Sequence, residues 1–151
     1  MHLKDNEIVK AAETLARKAH AGQYRWDGKT QYITHPETIA KSFLSSPPHI
    51  PADCIPICTA TAWLHDVIED TMVGWPLLLK SGFPPEVIYA LRAITKEANE
   101  NYLEYILRVK KNVIAREVKV EDIKHNMASL GDKQHQRKEK YLCALYILED
   151  E

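Results

Sequence analysis

The stretch that most constrains the fold of this chain is residues 61–71, which have the sequence TAWLHDVIEDT. Drawn on an α-helix, in which successive residues turn by about 100°, the stretch divides into two faces. Leu64 and Val67 lie on an apolar face that can pack against a core. The other face carries one imidazole and three carboxylates, from His65, Asp66, Glu69 and Asp70. We therefore predict a helix with one buried face and one chemically active face.

The charge on this polar face needs a counterpart. No Lys or Arg occurs between positions 54 and 73, and like charges one helical turn apart repel. A cation, a shared proton or a distant basic partner must offset them. A solvated acidic helix end is the simpler alternative, but the adjacent His and Asp and the apolar opposite face favour a metal site. Imidazole and carboxylate ligands suit a divalent ion such as Mn²⁺, Fe²⁺ or Zn²⁺.

Helical periodicity extends over almost the whole chain, and no convincing period-2 strand pattern interrupts it. We predict helices over residues 5–20, 34–44, 52–71, 75–80, 84–96, 102–109, 113–130 and 136–148. No linker, repeat or low-complexity segment divides the sequence. The pattern predicts an all-α fold, with residues 1–151 forming a single domain.

Three finer predictions concern the ends and faces of these helices. Thr34 and Glu37 have the spacing of a capping box at the start of the second helix. The last helix is expected to turn Leu142, Leu145, Tyr146 and Leu148 inward. The three cysteines, an odd number without zinc-type spacing, are expected to be small buried hydrophobic residues in a reducing cytoplasm.

The composition argues against a nucleic-acid partner and against a membrane-spanning segment. The net charge of −1 provides no basic field for a nucleic acid. The longest nearly uncharged run, residues 54–64, is too short to cross a membrane. Residues 1–7 are charged and lack the apolar segment of a secretion signal. We therefore expect a cytoplasmic protein whose phosphate-binding groups, if any, form a local cluster.

Other polar residues stand at positions where a ligand or substrate group would be well mounted. His35 is held between Thr34 and Pro36, whose ring restricts its backbone. Asp122 borders the apolar stripe of the long penultimate helix, with Asn126 one turn away. A structural or surface role explains each of these residues equally well when it is taken alone. They indicate a ligand or substrate site only in combination with residues 61–71.

A loop bracketed by Gly22 and Gly28 precedes His35 and is rich in groups that bind anions or stack. Folding must bring its cations, Arg25 and Lys29, close to His35. On the last helix Arg137 and Tyr141 are one turn apart and point the same way. An Arg that packs its stem along a surface Tyr is the alternative interpretation of that pair.

Taken in order, these motifs make the chain resemble the HD-domain phosphohydrolases. Within them it is most similar to the hydrolase domain of the Rel/SpoT alarmone enzymes and to the free-standing small alarmone hydrolases. The similarity covers nearly the whole chain. It rests on these segments: residues 19–25 (AHAGQYR), Gly28-Lys29, 32–36 (YITHP), 64–71 (LHDVIEDT), 94–96 (ITK), Asn101-Tyr102, 118–122 (VKVED) and 125–127 (HNM).

The resemblance implies a compact all-α HD-domain bundle that removes pyrophosphate from the 3′ position of guanosine tetra- or pentaphosphate. It implies one Mn²⁺ per chain, or Fe²⁺ or Zn²⁺ in its place, bound by His35, His65, Asp66 and Asp122. It places Glu69 and Asp70 at the catalytic water. Nucleotide or phosphate contacts are implied for Arg25, Asn126, Arg137 and Tyr141, and we add the cations Lys29 and Lys96 to that substrate-binding group.

Two alternatives stay open. The same metal site could act on another small nucleotide, such as an adenosine alarmone, the 2′-phosphate of NADPH or a nucleoside monophosphate. Ile123 and Lys124 stand where the Rel enzymes have Arg-Leu, so the preferred nucleotide is not predicted. The oligomeric state is not predicted either. A non-catalytic HD-fold nucleotide sensor is the second alternative, although pure binding does not require the pair Glu69 and Asp70. The synthetase and regulatory domains of the long Rel proteins have no room in this sequence, so we expect a hydrolase only.

Overall fold

The computed structural model describes residues 4–45, 47–131 and 134–150. Over these ranges the chain is helical, and its only strand-like pairing is an isolated bridge between Tyr24 and Gln31. The helices are α1 Asp5–Ala19, α2 Thr34–Leu44, a 3₁₀ turn Ala52–Cys54, α3 Ile55–Leu64, α4 Val67–Asp70, α5 Trp75–Lys80, α6 Pro85–Ile94, α7 Tyr102–Lys110, α8 Val113–Ala128 and α9 His135–Glu149. The predicted all-α class is confirmed, and a single domain over 1–151 stays a prediction.

Helix α3 is the centre of the core. It has no charged residue, and every side chain from Cys58 to Leu64 is buried. A helix that is apolar all round must be surrounded by other elements, and α3 packs against α1, α2, α6 and α8. Its C-terminal end therefore brings His65 to the place where α2 and α8 also meet.

The predicted continuous helix up to residue 71 is wrong in detail, because the helix is interrupted at His65 and Asp66. Asp66 has φ −104° and ψ 0°, and a short helix α4 follows. The carbonyl of Ala62, which pairs with the amide of residue 66 in a regular helix, accepts a hydrogen bond from His65 Nδ1 at 2.7 Å. A side chain that competes for a backbone acceptor disturbs the helix at that point.

The predicted capping box at Thr34 is also wrong. Thr34 is already inside α2, and the capping position belongs to Ile33. The Thr34 hydroxyl donates back to the carbonyl of Gln31 at 2.8 Å, and the Glu37 amide donates to the carbonyl of Ile33 at 3.0 Å rather than to the Thr34 side chain. Glu37 contacts Arg17 of α1, which ties α2 to its neighbour.

Helix α9 turns a different face to the core than predicted. Leu148 is buried and Leu145 packs against the core, as expected, but Leu142 and Tyr146 are exposed. Because α9 packs against α7 and α8, its inward stripe is Tyr141, Ala144, Leu145 and Leu148. Cys143 lies on the outer face and is exposed, whereas Cys58 is buried and Cys54 half-buried, so burial of all three cysteines is wrong. None of the described helices is both long and apolar enough to cross a membrane.

Candidate metal centre and nucleotide site

Four side chains from three segments converge where α2, the end of α3 and the middle of α8 meet. They are His35, His65, Asp66 and Asp122, and one ligand atom of each lies within 4.8 Å of the others. Asp122 Oδ1 is 2.7 Å from His35 Nε2 and 3.3 Å from His65 Nε2. Asp66 Oδ2 is 3.0 Å from His65 Nε2. The four predicted ligands are therefore brought together, while metal binding by them stays a prediction.

Hydrogen bonds on the far side of each imidazole fix its orientation. His65 Nδ1 donates to the Ala62 carbonyl, so its Nε2 is the nitrogen that faces the cluster. His35 Nδ1 is 2.7 Å from Nδ1 of His125. Burial, followed by the nearby His35 and Arg25, lowers the pKa of His125 to about 4, so His125 is neutral and its Nδ1 is able to accept a hydrogen bond from His35 Nδ1. Both Nε2 atoms therefore face the cluster, where each can offer its lone pair to a metal once any proton on it is released.

Lys119 is the basic partner of the cluster that the sequence analysis missed. Its Nζ lies 2.8 Å from Asp122 Oδ2, and both side chains are largely buried. Burial opposes both charges, but Lys119 and the two imidazoles hold the pKa of Asp122 well below its usual value. The pKa of Lys119 is raised in turn, mainly by Asp122 against the cost of burial. The spacing of three residues on α8 was the signal that could have identified it.

Tyr32 is a second contact that the sequence analysis did not identify. Its hydroxyl donates to Asp66 Oδ2 and lies 3.4 Å from Asp70 Oδ2. Burial alone would raise the pKa of Asp66, but His65 outweighs it and lowers that pKa to about 2. Asp66 is therefore a carboxylate with one oxygen held between Tyr32 and His65.

The donor set fits a divalent cation. Two imidazole nitrogens and two ionised carboxylates are the ligands that Mn²⁺, Fe²⁺ and Zn²⁺ accept. Burial lowers the pKa of His65 and the neighbouring Asp66 and Asp122 raise it, with the net effect a strong rise. A bound metal would replace the proton on His65 Nε2, which is the usual exchange when a site is loaded.

Glu69 and Asp70 lie one turn beyond the cluster, on α4, and are more exposed than the four converging residues. Glu69 Oε1 accepts the backbone N–H of Lys96 at 2.6 Å, while Nζ of Lys96 lies 3.4 Å from the carbonyl of Glu97. Partial burial raises the pKa of both Glu69 and Asp70, and the Asp66 charge adds to the effect. A carboxylate with a raised pKa holds a proton more readily, so both groups are suited to accepting one.

Arg25 and Asn126 connect the centre to its surroundings. Arg25 Nη2 donates to Asn126 Oδ1 at 3.1 Å and to Ser129 Oγ at 3.1 Å. Asn126 Nδ2 donates to Asp122 Oδ1 at 3.2 Å. The guanidinium of Arg25 is thus two hydrogen bonds away from the cluster.

Arg25, Trp26, Arg137, Lys140 and Tyr141 form a basic and aromatic rim beside the cluster. Trp26 is 45% exposed, and the guanidinium carbons of Arg25 and Arg137 lie 5.1 and 5.5 Å from its ring centroid. Lys140, which the sequence analysis did not select, lies 5.7 Å from the ring centroid of Tyr141. After burial, the positive charges of Arg137, Lys119 and Lys96 lower the pKa of Lys140.

Lys29 is a predicted site residue whose side chain the structure does not bring to the cluster. Its backbone amide donates to Asp27 in the loop, and its side chain is exposed. Among the described residues no hydrogen bond or ion pair joins that side chain to the cluster or to the rim.

Comparisons with known proteins agree with these observations. No protein-family model matches the chain. The chain is 33% identical, over 78% of its length, to the guanosine-3′,5′-bis(diphosphate) 3′-pyrophosphohydrolase of Haemophilus influenzae. It is 29% identical, over 90% of its length, to the GTP pyrophosphokinase of Myxococcus xanthus. The chain spans only 18% of the length of each of these relatives.

A solved structure shares the fold. It is that of a metazoan ortholog of SpoT, described as hydrolysing ppGpp and playing a role in starvation responses. The TM-score is 0.69 at 21% identity, with 93% of this chain and 83% of the other covered. The predicted HD-domain bundle and the predicted resemblance to the Rel/SpoT hydrolases are confirmed.

Proposed function

We propose that this chain, which resembles the Rel/SpoT hydrolases in sequence and fold, removes pyrophosphate from the 3′ position of guanosine tetra- or pentaphosphate. The names of the Haemophilus and metazoan relatives support this substrate. The observation that carries the proposal is the arrangement of three groups in one place. A buried His and Asp cluster adjoins a carboxylate pair on α4 and a basic rim. The rim consists of Arg25 and Trp26, in the loop over residues 23–31, and of Arg137, Lys140 and Tyr141 on α9.

We propose that the cluster holds one Mn²⁺ through His35, His65, Asp66 and Asp122, with Fe²⁺ or Zn²⁺ as substitutes. When bound, such an ion polarises a phosphoryl oxygen and lowers the pKa of a coordinated water. Neighbouring residues of the chain orient the two ligand carboxylates. Lys119 and Tyr32 each hold one ligand carboxylate, which keeps both in a fixed geometry.

Glu69 and Asp70 are the proposed proton acceptors for the attacking water. Their raised pKa values make them better bases than ordinary surface carboxylates. Glu69 is held in place by the Lys96 amide. A positioned base contributes roughly 10²–10⁴-fold to rate, which is why a simple binding protein would not need this pair.

The rim supplies the positive charge that a polyphosphate requires on a protein of net charge −1. Arg25 and Arg137 can donate paired hydrogen bonds to phosphate. Asn126 orients Arg25 and offers a further polar contact, and Tyr141 presents an aromatic face. Lys96 and Lys29 are weaker candidates, because the observed contacts of Lys96 with Glu69 and Lys29 with Asp27 are made by their backbone amides.

The proposal is tested by incubating the Mn²⁺-loaded protein with a panel of phosphorylated nucleotides and resolving the products by anion exchange. Release of pyrophosphate from guanosine tetraphosphate, with no comparable reaction on the others, is the expected result. Cleavage of an adenosine alarmone, NADPH or a nucleoside monophosphate would replace the substrate and keep the metal site. Binding of guanosine tetraphosphate without any turnover would support a nucleotide sensor.

A further inference from the structure

His20 is a buried imidazole that the proposed reaction does not use. It ends α1, and only 2% of its surface is exposed. Its Nδ1 lies 2.8 Å from Oε1 of Gln23. Its Nε2 is buried and has no hydrogen-bond partner among the described residues. A buried polar atom without a partner destabilises a fold, so a position that only fills space is better occupied by an apolar residue.

The contacts of Gln23 determine which nitrogen of His20 carries the proton. Gln23 Nε2 lies 2.8 Å from the backbone carbonyl of Asp70, and a carbonyl can only accept. The amide nitrogen of Gln23 therefore points to Asp70, and its oxygen points to His20. An oxygen acceptor requires a donor, so His20 Nδ1 bears the hydrogen and Nε2 is bare. Burial also lowers the pKa of His20, in agreement with a neutral ring.

The same ring is linked to Asp70 by a second route, through Tyr32. His20 packs against Tyr32 with ring centroids 4.9 Å apart. The Tyr32 hydroxyl lies 3.4 Å from Oδ2 of Asp70. Gln23 thus contacts the backbone carbonyl of Asp70, and Tyr32 lies near its carboxylate. Both of these residues contact His20.

Asp70 needs this support because of where it stands. It is the last residue of α4, a helix of four residues, and the final carbonyls of a helix have no partner within it. A short terminal turn frays unless another group holds it. Gln23 caps the α4 end at the residue that carries one of the two proposed proton acceptors.

We infer that His20 is a positioning residue that holds the Asp70 carboxylate at the catalytic water through Gln23 and Tyr32. This inference rests on the proposed function of Asp70. His20 contacts neither the substrate nor the converging ligands directly. Loss of its hydrogen bond to Gln23, with the packing on Tyr32 retained, should therefore affect the rate of the chemical step and leave nucleotide and metal binding intact.

Two variants of the full chain test the inference. His20→Phe keeps the ring against Tyr32 but removes the donor to Gln23. It should lower kcat about 10–100-fold, as is usual for residues that orient a site from outside it, with KM and metal content unchanged. His20→Asn places an amide N–H near the position of Nδ1 and should restore most of the lost kcat. A residue that is merely structural would lower the melting temperature of both variants and leave kcat per folded molecule unchanged, which would overturn the inference.

A measurement on the wild-type protein covers the case in which His20→Phe does not fold. Long-range ¹⁵N–¹H NMR of the histidine rings should show His20 as the neutral Nδ1–H tautomer, and an Nε2–H tautomer would overturn the inference. A wild-type protein inactive on every nucleotide would overturn the proposed function instead, and the tautomer would then test only the hydrogen bonds that link His20, Gln23 and the Asp70 carbonyl.

Discussion

The centre of the site and its rim both contain charged side chains, but those of the centre are buried and the rim is more exposed. In the centre, the Lys119 and Asp122 side chains are only 14% and 4% exposed and lie 2.8 Å apart. In the rim, Arg25 donates to Asn126 and Ser129, while Trp26 is 45% exposed. Charge in the centre is matched almost completely within the protein, whereas the rim leaves positive charge for a ligand to match.

This difference predicts different consequences of mutation. A buried charge that loses its partner stays unpaired, and the cost is large. An exposed charge that loses its partner is solvated by water, and the cost is small. Changes in the centre should therefore abolish metal binding or weaken the fold, while changes in the rim should appear only when a nucleotide is present.

The sharpest test of the centre is Asp122→Asn. The amide keeps the shape of the side chain but removes the charge that faces both imidazoles, so bound metal should be lost and turnover should fall to background. Metal content by mass spectrometry and activity are measured together. Glu121→Gln, the neighbouring carboxylate on α8, is the control and should keep both. Full metal occupancy in Asp122→Asn would show that metal binding does not need the negative charge of Asp122.

Glu69→Gln and Asp70→Asn test the border between centre and rim. Each removes a proposed proton acceptor without removing a ligand, so kcat should fall by roughly 10²–10⁴-fold while metal content and KM stay the same. Steady-state kinetics with metal analysis provides the measurement. Glu86→Gln, an exposed carboxylate on α6, is the control. Rates near that of the wild type in both variants would favour the nucleotide-sensor alternative.

Lys119→Met tests whether charge in the centre is matched within the protein. It leaves Asp122 buried without its cation, which should lower the free energy of unfolding by about 3–5 kcal/mol in the presence of a chelator. Urea unfolding with and without Mn²⁺ is the measurement, and the metal should recover part of the loss.

The control for Lys119→Met is Lys124→Met on the same helix. Lys124 lies 3.5 Å from Glu149, and both side chains are about half exposed, so the expected change is within about 1 kcal/mol. Equal effects of the two variants would contradict the distinction between centre and rim.

Arg25→Ala and Arg137→Ala test the rim and should have the smallest effects. Hydrogen bonds to charged groups contribute about 1.5–3 kcal/mol each, so KM should rise roughly 10–100-fold with metal content unchanged. Arg92→Ala is the matched control, because Arg92 lies 5.3 Å from the Trp75 ring and forms the same kind of pair elsewhere. A lower melting temperature with an unchanged KM would assign these arginines a structural role.

The sequence predicts most of the helices because their apolar residues repeat with a helical period. It also suggests that His65, Asp66, Glu69 and Asp70 lie near one another, because all four fall within two turns. What it does not predict depends on the orientation of individual side chains and on contacts between distant segments. The interruption at His65 follows from a competition for the Ala62 carbonyl, which becomes visible only when the imidazole orientation is known.

The faces of α9 illustrate the same limit. A helix with apolar residues on more than one side has several possible inward stripes, and the neighbouring helices decide between them. Here α7 and α8 select the stripe with Tyr141 and Ala144 and leave Leu142 and Tyr146 exposed. The ion pair between Lys119 and Asp122, by contrast, is predictable from the sequence, because Lys119 stands one turn before Asp122 on the same helix.

The 23–31 loop has a consequence for the speed of nucleotide capture. Asp27 accepts hydrogen bonds from the amides of Lys29 and Thr30, both at 2.8 Å. The Thr30 hydroxyl, followed by these two amides, lowers the pKa of Asp27 to about 2. Gly28 has a positive φ of 70°, which the turn requires. The loop that carries Arg25 and Trp26 is therefore shaped before any ligand arrives. Little chain entropy is lost on association, so diffusion and electrostatic attraction, rather than a slow loop closure, should set the association rate.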